Sequence, residues 1–230
     1  MEESIKKADI LIEAIPYIQA FRGKVIVAKY GGSAIENVAV MGKILEDLVF
    51  LSSVGIHAVL VHGGGPAITR KLSSVGRKSR FIDGMRVTDR DTMHMVSQAL
   101  GDVNRRLVAQ VKAKGGHAEG VVPDHRVIVA EPHPRSHELG FVGSVKAVQT
   151  AALQTLFSRH AVPVISPIGV GKDGQTYNVN ADQAAGSAGH QVARWGGSTC
   201  SHRCGRSAAS RRCGRRGGCN SDQGRSKNRY

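Results

Sequence analysis

The sequence predicts an α/β fold centred on an open, mainly parallel sheet, and three observations carry that expectation. A short apolar run, Val25 to Ala28, delivers Lys29 to a break at Gly31-Gly32, and a helically periodic stretch follows from about Asn37 to Leu51. The arrangement then repeats: Ile56–Val61 ends in His62-Gly63-Gly64-Gly65-Pro66, and Ala67–Val75 continues as a helix. Both strands are rich in β-branched residues, which suit a pleated surface covered on both faces. Two such units in succession form a βαβ crossover, right-handed by rule, with both glycine turns on one rim of the sheet. Ligands of such sheets gather outside the carboxyl ends of the strands.

A chain of 230 residues suffices for one large or two small domains with a proper core. No uninterrupted apolar run approaches the roughly 18 residues of a membrane span. Glu2, Glu3, Lys6, Lys7, Asp9 and Glu13 break up any secretory leader, so a cytoplasmic protein without membrane contact is expected. Charge is uneven. Residues 190–230 hold 10 of the 32 Lys and Arg but 1 of the 18 Asp and Glu, which is +9 of the net +14. All four cysteines (Cys200, Cys204, Cys213, Cys219) fall in that segment too, so the body of the chain gives no indication of redox compartment.

Taken in order, residues 2–21 set Ile5, Ala8, Leu11, Ile12, Ile15, Ile18 and Phe21 at helical spacing between charges. Pro16 is expected to kink or interrupt this helix, whose stripe lies either on its own domain or against another subunit. The HGGG run at 62–65 also occurs as an esterase oxyanion loop, but no G-x-S-x-G elbow accompanies it, and that chemistry is excluded. Residues 81–89 form a turn presenting Arg86, with Thr88 and Asp91 arranged like a capping box. The following helix runs through Met95, Leu100, Val103, Leu107 and Val111 to a stop at Gly115-Gly116, with Gly101 marking a close packing point. Residues 127–145 read as short strands with a hairpin, residues 147–159 as a helix. Val162–Ile165 reads as a buried strand whose Pro163 favours an edge or a strand start. Gly169–Gly174 matches G-x-G-x-x-G formally, but a strand at Thr176–Val179 follows instead of a helix, which makes it a hairpin turn. No Walker motif is present. His133 and His137 lack the glutamate and helical context of a zinc pair and read as solvated loop residues.

Several of these residues carry chemistry. Gly31 and Gly32 let backbone N–H groups approach an anion, and Lys29 adds a point charge with three donors, so phosphate is the natural ligand. Arg86 is either a surface arginine or a carboxylate clamp, its planar fork matching two oxygens. Asn178-Val179-Asn180-Ala181-Asp182 opens an alanine-rich helix. Such a cluster caps the helix, and it also offers an amide and a carboxylate to a ligand there.

Together, Lys29-Tyr-Gly-Gly-Ser33, His62-Gly-Gly-Gly-Pro66, Gly84-Met-Arg86-Val-Thr88, Gly140-Phe-Val-Gly143 and Asn178-Val-Asn-Ala-Asp182 resemble, in order, the motifs of the acetylglutamate kinases of the amino-acid kinase family. The resemblance covers roughly residues 5–189. It implies an αβα sandwich with an N-terminal acetylglutamate-binding lobe (residues 25–189 here) and a C-terminal nucleotide lobe. The implied reaction is ATP-dependent phosphorylation of the side-chain carboxylate of N-acetyl-L-glutamate, a step of arginine synthesis, with Mg2+ arriving on ATP and no metal bound by the protein itself. Lys29 stabilises the transition state in this reading, and the Gly31 and Gly32 amides hold phosphate. Gly64, Gly65, Arg86 and Asn178 bind the substrate, and Asp182 orients Lys29 and a second lysine. The helix within residues 1–24 resembles that of hexameric, arginine-inhibited members, which implies a homo-oligomer, a dimer or a hexamer.

Beyond about Gly189 the resemblance stops. The family's second lysine and adenine site have no counterpart, so weak or absent activity and an uncovered sheet edge are expected. Residues 190–230 contain no Ile, Leu, Met or Phe, and such a segment does not offset its folding entropy by burial, so disorder is the default. Its cysteines with His202 suggest zinc, although one pair alone has knuckle spacing. Its arginines suggest nucleic acid, which gives the alternative of a non-catalytic kinase-like lobe with a basic nucleic-acid-binding tail. Its composition is also that of a GC-rich gene translated out of frame, the reading preferred here, and nucleic acid is not the expected partner.

Overall fold

The computed structural model describes residues 2–31, 37–193 and 200–204. A helix α1 (Glu2–Phe21) leads into the two expected strand–glycine–helix units, β1 (Val25–Tyr30) with α2 (Val38–Ser53), then β2 (His57–His62) with α3 (Gly65–Ser74). A small hairpin, β3 (Phe81–Ile82) and β4 (Met85–Arg86), precedes the long α4 (Arg90–Ala113) and β5 (Ala118–Val121). Next come β6 (Ile128–Pro132), a short α5 (Ser136–Leu139), β7 (Val142–Val148) and α6 (Thr150–Ser158). The chain continues with β8 (Val162–Ile165), β9 (Ile168–Val170), β10 (Thr176–Val179), α7 (Ala181–Ala193) and β11 (Cys200–Cys204).

The main sheet is parallel throughout, in the order β11-β1-β2-β8-β5. Alternation along its strands sorts the core into two layers, because successive side chains point to opposite faces. Val25, Val27, Val59, Val61 and Ile165 pack with Leu153, Leu156 and Phe157 of α6 and Ala184, Ala188 and Val192 of α7. On the other face Ala58, Leu60, Val162 and Val164 meet Met41, Leu45 and Leu48 of α2 and Val103, Leu107 and Val111 of α4. This is the αβα sandwich. A second sheet was not foreseen: β10-β7-β6-β9 closes into a four-stranded barrel that mixes parallel and antiparallel pairs. The hairpins read at 127–145 and 169–174 are two of its antiparallel pairs.

Three expectations need correction, and one pair of alternatives is decided. Pro163 sits at a strand start and not on an edge, as the second residue of β8, which lies between β2 and β5. It is tolerated because the β2 ladder begins one residue later, at Leu60 with Val164. Pro16 does not interrupt α1, which is continuous from Glu2 to Phe21. That helix buries no residue, so its stripe does not lie on its own domain. The cap of α4 is Asp89, whose carboxylate accepts from the Thr92 N–H at 2.7 Å, while Thr88 is drawn inward. Finally, the edge of β1 is covered, because Cys200–Cys204 pairs with it in parallel from Ile26 to Tyr30. Main-chain pairing needs no apolar side chain, which is why composition gave no warning. Residues 194–199 and 205–230, with Cys213 and Cys219, lie outside the described residues.

One glycine, shortly before β7, bridges to Thr88 at the entry to α4. Gly140 has φ 71°, a left-handed conformation that a Cβ disfavours, and a Cβ built there would strike the Thr88 carbonyl. Gly140→Ala is therefore expected to lower unfolding stability by about 1–3 kcal/mol in urea titrations. Gly65→Ala, where a Cβ meets nothing within 4 Å, should leave stability nearly unchanged.

Candidate functional site

The carboxyl ends of β1 and β2 stop together, and the Gly63 N–H donates to the Tyr30 carbonyl at 2.7 Å to tie the two glycine turns. Above them lies a cavity of about 440 Å3. Of the residues singled out in the sequence, Lys29, Gly31, Gly64, Gly65, Arg86, Asn178 and Asp182 all line it. Gly32 lies outside the described residues.

Lys29 is the last but one residue of β1, and its Nζ is 3.3 Å from Asp182 Oδ2 in the first turn of α7. The capping reading of the 178–182 cluster holds, with Asn180 as the cap. Asn180 Oδ1 accepts from the Asp182 N–H at 2.7 Å and the Gln183 N–H at 3.3 Å, which leaves the Asp182 carboxylate to reach Lys29. The lysine folds over Gly31, where a Cβ would stand 2.9 Å from both Cε and Nζ. A side chain at position 31 would therefore displace the ammonium from this seat. Gly64 is the N-cap of α3 without a side-chain cap bond, and helices leave their first N–H groups without intrahelical partners, a disposition suited to an anion. A Cβ on Gly64 would collide with the buried Leu100.

Arg86 is not a surface arginine. It is 7% exposed, donates to Gly65 O at 3.2 Å and Thr69 Oγ1 at 3.0 Å, and also bonds Ser79. Its guanidinium lies 4.7 Å from the centre of the Phe81 ring, and burial pushes its pKa below the ordinary value. A cation so placed, on the wall of a cavity, favours an anionic partner. Asn178, on β10, donates from Nδ2 to Thr88 Oγ1 at 3.3 Å. His133 departs from its expected role: it is half-buried and lines the cavity, with Nδ1 accepting from the Arg135 N–H at 3.2 Å. His137 is exposed as expected. Among the described residues no three His, Cys, Asp or Glu side chains gather to hold a metal ion.

Sequence reasoning missed the layer beneath. His62, fully buried, places Nδ1 2.8 Å from Gly63 O, so the proton sits on Nδ1. Nε2 then accepts, and lies 3.1 Å from Ser166 Oγ and 3.2 Å from Asn104 Nδ2. Asn104 also donates to Val164 O at 2.8 Å. Because the C=O and N–H of a trans peptide point in opposite directions, the His62 bond to Gly63 directs the Gly64 N–H away from the imidazole. The available signal was Asn104 itself, an amide on the apolar stripe of α4 between Val103 and Leu107.

Comparison with known proteins gives these geometries a context. A sequence profile described as the amino acid kinase family matches residues 24–193. The chain is 43% identical over 194 residues to the acetylglutamate kinase of Neisseria gonorrhoeae, covering 81% of this chain and 65% of that protein. It is 44% identical over 191 residues to the acetylglutamate kinase of Clostridioides difficile, covering 82% and 66%. It therefore spans about two thirds of the length of the curated relatives it matches. Among solved structures, smu.665 from Streptococcus mutans superposes with a TM-score of 0.69 at 29% identity, over 74% of this chain and 69% of that one. The N-acetylglutamate synthase of Neisseria gonorrhoeae, complexed with coenzyme A and N-acetyl-glutamate, gives 0.67 at 27% identity, over 79% and 42%.

The buried imidazole makes a pH prediction. Burial lowers the His62 pKa from 6.5 to about 4, so the unfolded state takes up this proton first. Stability is fully present above pH 6.5 and is lost as pH falls toward 4, by on the order of 3 kcal/mol. Urea unfolding between pH 7 and 4 should show this fall, and NMR should show the His62 ring neutral at pH 5.

Proposed function

The chain belongs to the amino acid kinase family, and on that footing we propose that its cavity binds N-acetyl-L-glutamate for phosphorylation of the side-chain carboxylate by ATP. The product is N-acetyl-L-glutamyl 5-phosphate, an intermediate of arginine synthesis. One observation carries the reading. A lysine–aspartate pair, a glycine-rich turn and a buried arginine, three anion-directed features from distant parts of the sequence, converge on one cavity.

Transfer between two anions needs no protein nucleophile; it needs alignment and charge stabilisation. Arg86 takes the α-carboxylate of the substrate and Asn178 steadies it from the β10 side. The amides of the glycine turn, Gly64 and Gly65, hold the carboxylate region, and that of Gly31 holds phosphate oxygens, as does Gly32 in the same reading. Lys29, held in place by Asp182, neutralises charge on the passing phosphoryl group. The donor set is cationic and main-chain N–H, which fits polyphosphate oxygens. Among the described residues of the wall Asp182, engaged with Lys29, is the single carboxylate, so Mg2+ would be carried on the phosphates of ATP and would supply further neutralisation there. Lys29 is also the only lysine among the described residues of that wall.

Calorimetric titration should detect binding of N-acetyl-L-glutamate, and Arg86→Ala should weaken it by about 1.5–3 kcal/mol, the scale of a charge-assisted bond. Absence of binding to the folded chain at millimolar ligand overturns the reading.

The same proposal includes self-association through α1. Ile5, Ile10, Leu11, Ile12, Ile15, Tyr17 and Phe21 are 42–67% exposed there, an apolar load unusual for a helix facing water. A second copy of the chain is the partner in this reading. Leu11→Asp with Ile15→Asp is expected to lower the mass found by light scattering while leaving substrate affinity intact.

A further inference from the structure

Thr88 lies outside the substrate and phosphate roles assigned above, yet it is fully buried between the two substrate groups. Its hydroxyl donates to Arg86 O at 2.8 Å. A hydroxyl has one hydrogen, so toward Asn178 Nδ2, 3.3 Å away, Thr88 Oγ1 acts as acceptor. That fixes the side-chain amide of Asn178: one N–H is committed to Thr88, and Oδ1 and the second N–H remain for the cavity that Asn178 lines. The backbone of the same threonine joins three elements. Its N–H donates to Leu139 O at 2.8 Å, its carbonyl accepts from Phe141 N–H at 2.7 Å, and Phe141 O in turn accepts from Asn178 N–H at 2.9 Å.

We propose that Thr88 is a positioning residue that sets the Arg86 backbone and the Asn178 side-chain amide in register on the wall of the substrate cavity through its one hydroxyl. The inference rests on the reading of those two residues as substrate groups. The backbone bonds do not depend on the hydroxyl. Thr88→Val keeps the shape and the three-element junction, but removes the acceptor that, among the described residues, distinguishes the two faces of the Asn178 amide. The terminal amide torsion is intrinsically broad, so without that acceptor the amide populates both orientations and presents the wrong edge for part of the time.

The test compares Thr88→Val and Thr88→Ser by calorimetry with N-acetyl-L-glutamate and by NMR of the Asn178 side-chain amide without ligand. Thr88→Val is expected to weaken binding about five- to thirtyfold, the equivalent of one or two hydrogen bonds, and to shift the ligand-free Asn178 Nδ2 resonances. Thr88→Ser, which retains the hydroxyl, should restore both. A purely structural role would instead track unfolding stability and would not be rescued in the amide signal by serine. Thr88→Cys, a weak donor of similar size, serves the same comparison where valine impairs folding. Unchanged affinity and amide signals in the valine variant, or a serine variant as weak as valine, overturn the proposal. No binding by the wild-type chain overturns the substrate reading instead, and the ligand-free amide signal then decides the Thr88 contact by itself.

Discussion

A neutral imidazole at the end of β2 is the constraint from which the site is built. His62 contacts the glycine turn on one side and, on the other, Asn104 of α4 and Ser166 just beyond β8. Three elements brought together by topology are thereby locked by one ring. Buried polar groups are tolerable only when bonded, so each partner constrains the others. A charged imidazole would need an anion that this pocket does not offer, and burial enforces neutrality. The turn it supports is then free of side chains and presents main-chain donors, and these are strongest when their carbonyl partners are already engaged.

Around that turn the charges are arranged by depth. Lys29 reaches the cavity from a buried strand and keeps a carboxylate at 3.3 Å, so it is not an unpaired buried charge. Arg86 lies deeper and is satisfied by neutral oxygens from Gly65, Thr69 and Ser79. A cation bonded only to neutral acceptors retains its full charge toward a ligand. An arginine already paired with a carboxylate would bring much less to an anion. In the proposed reaction Arg86 and Lys29 divide the labour of holding two anions and bringing them together.

Sequence patterns revealed the parallel sheet because its signals are local: β-branched runs, glycine breaks and helical periods within about thirty residues. Seven of the residues lining the cavity were legible for the same reason, since each sits in a short motif at a strand or helix end, whereas His133 carries no such signal. What was not legible depends on partners far away in sequence. The barrel needs β10 to find β7 and β9 to find β6, pairings that no hairpin signal encodes. Pro163 left an edge and a strand start open, and the strand's neighbours decided between them, because its position in the sheet is not set by its own composition. Thr88 resembled a cap, and Asp89 took that role once the hydroxyl was drawn inward to Arg86 and Asn178.

The two ends of the described chain show opposite balances of local and tertiary forces. In α1 the local terms suffice: Glu2 with Lys6 and Glu3 with Lys7 form pairs at 2.8 Å one turn apart, and acidic residues sit in the first turn, where the helix dipole favours them. Yet no residue of that helix is buried. In β11 the local terms are poor, with serine, histidine and arginine between two cysteines, yet five consecutive residues pair with β1. A sheet edge asks of its partner only an extended backbone with free N–H and C=O groups, whereas a helix stripe asks for a complementary apolar surface. Sequence composition therefore forecasts what a helix needs far better than what a strand edge will accept.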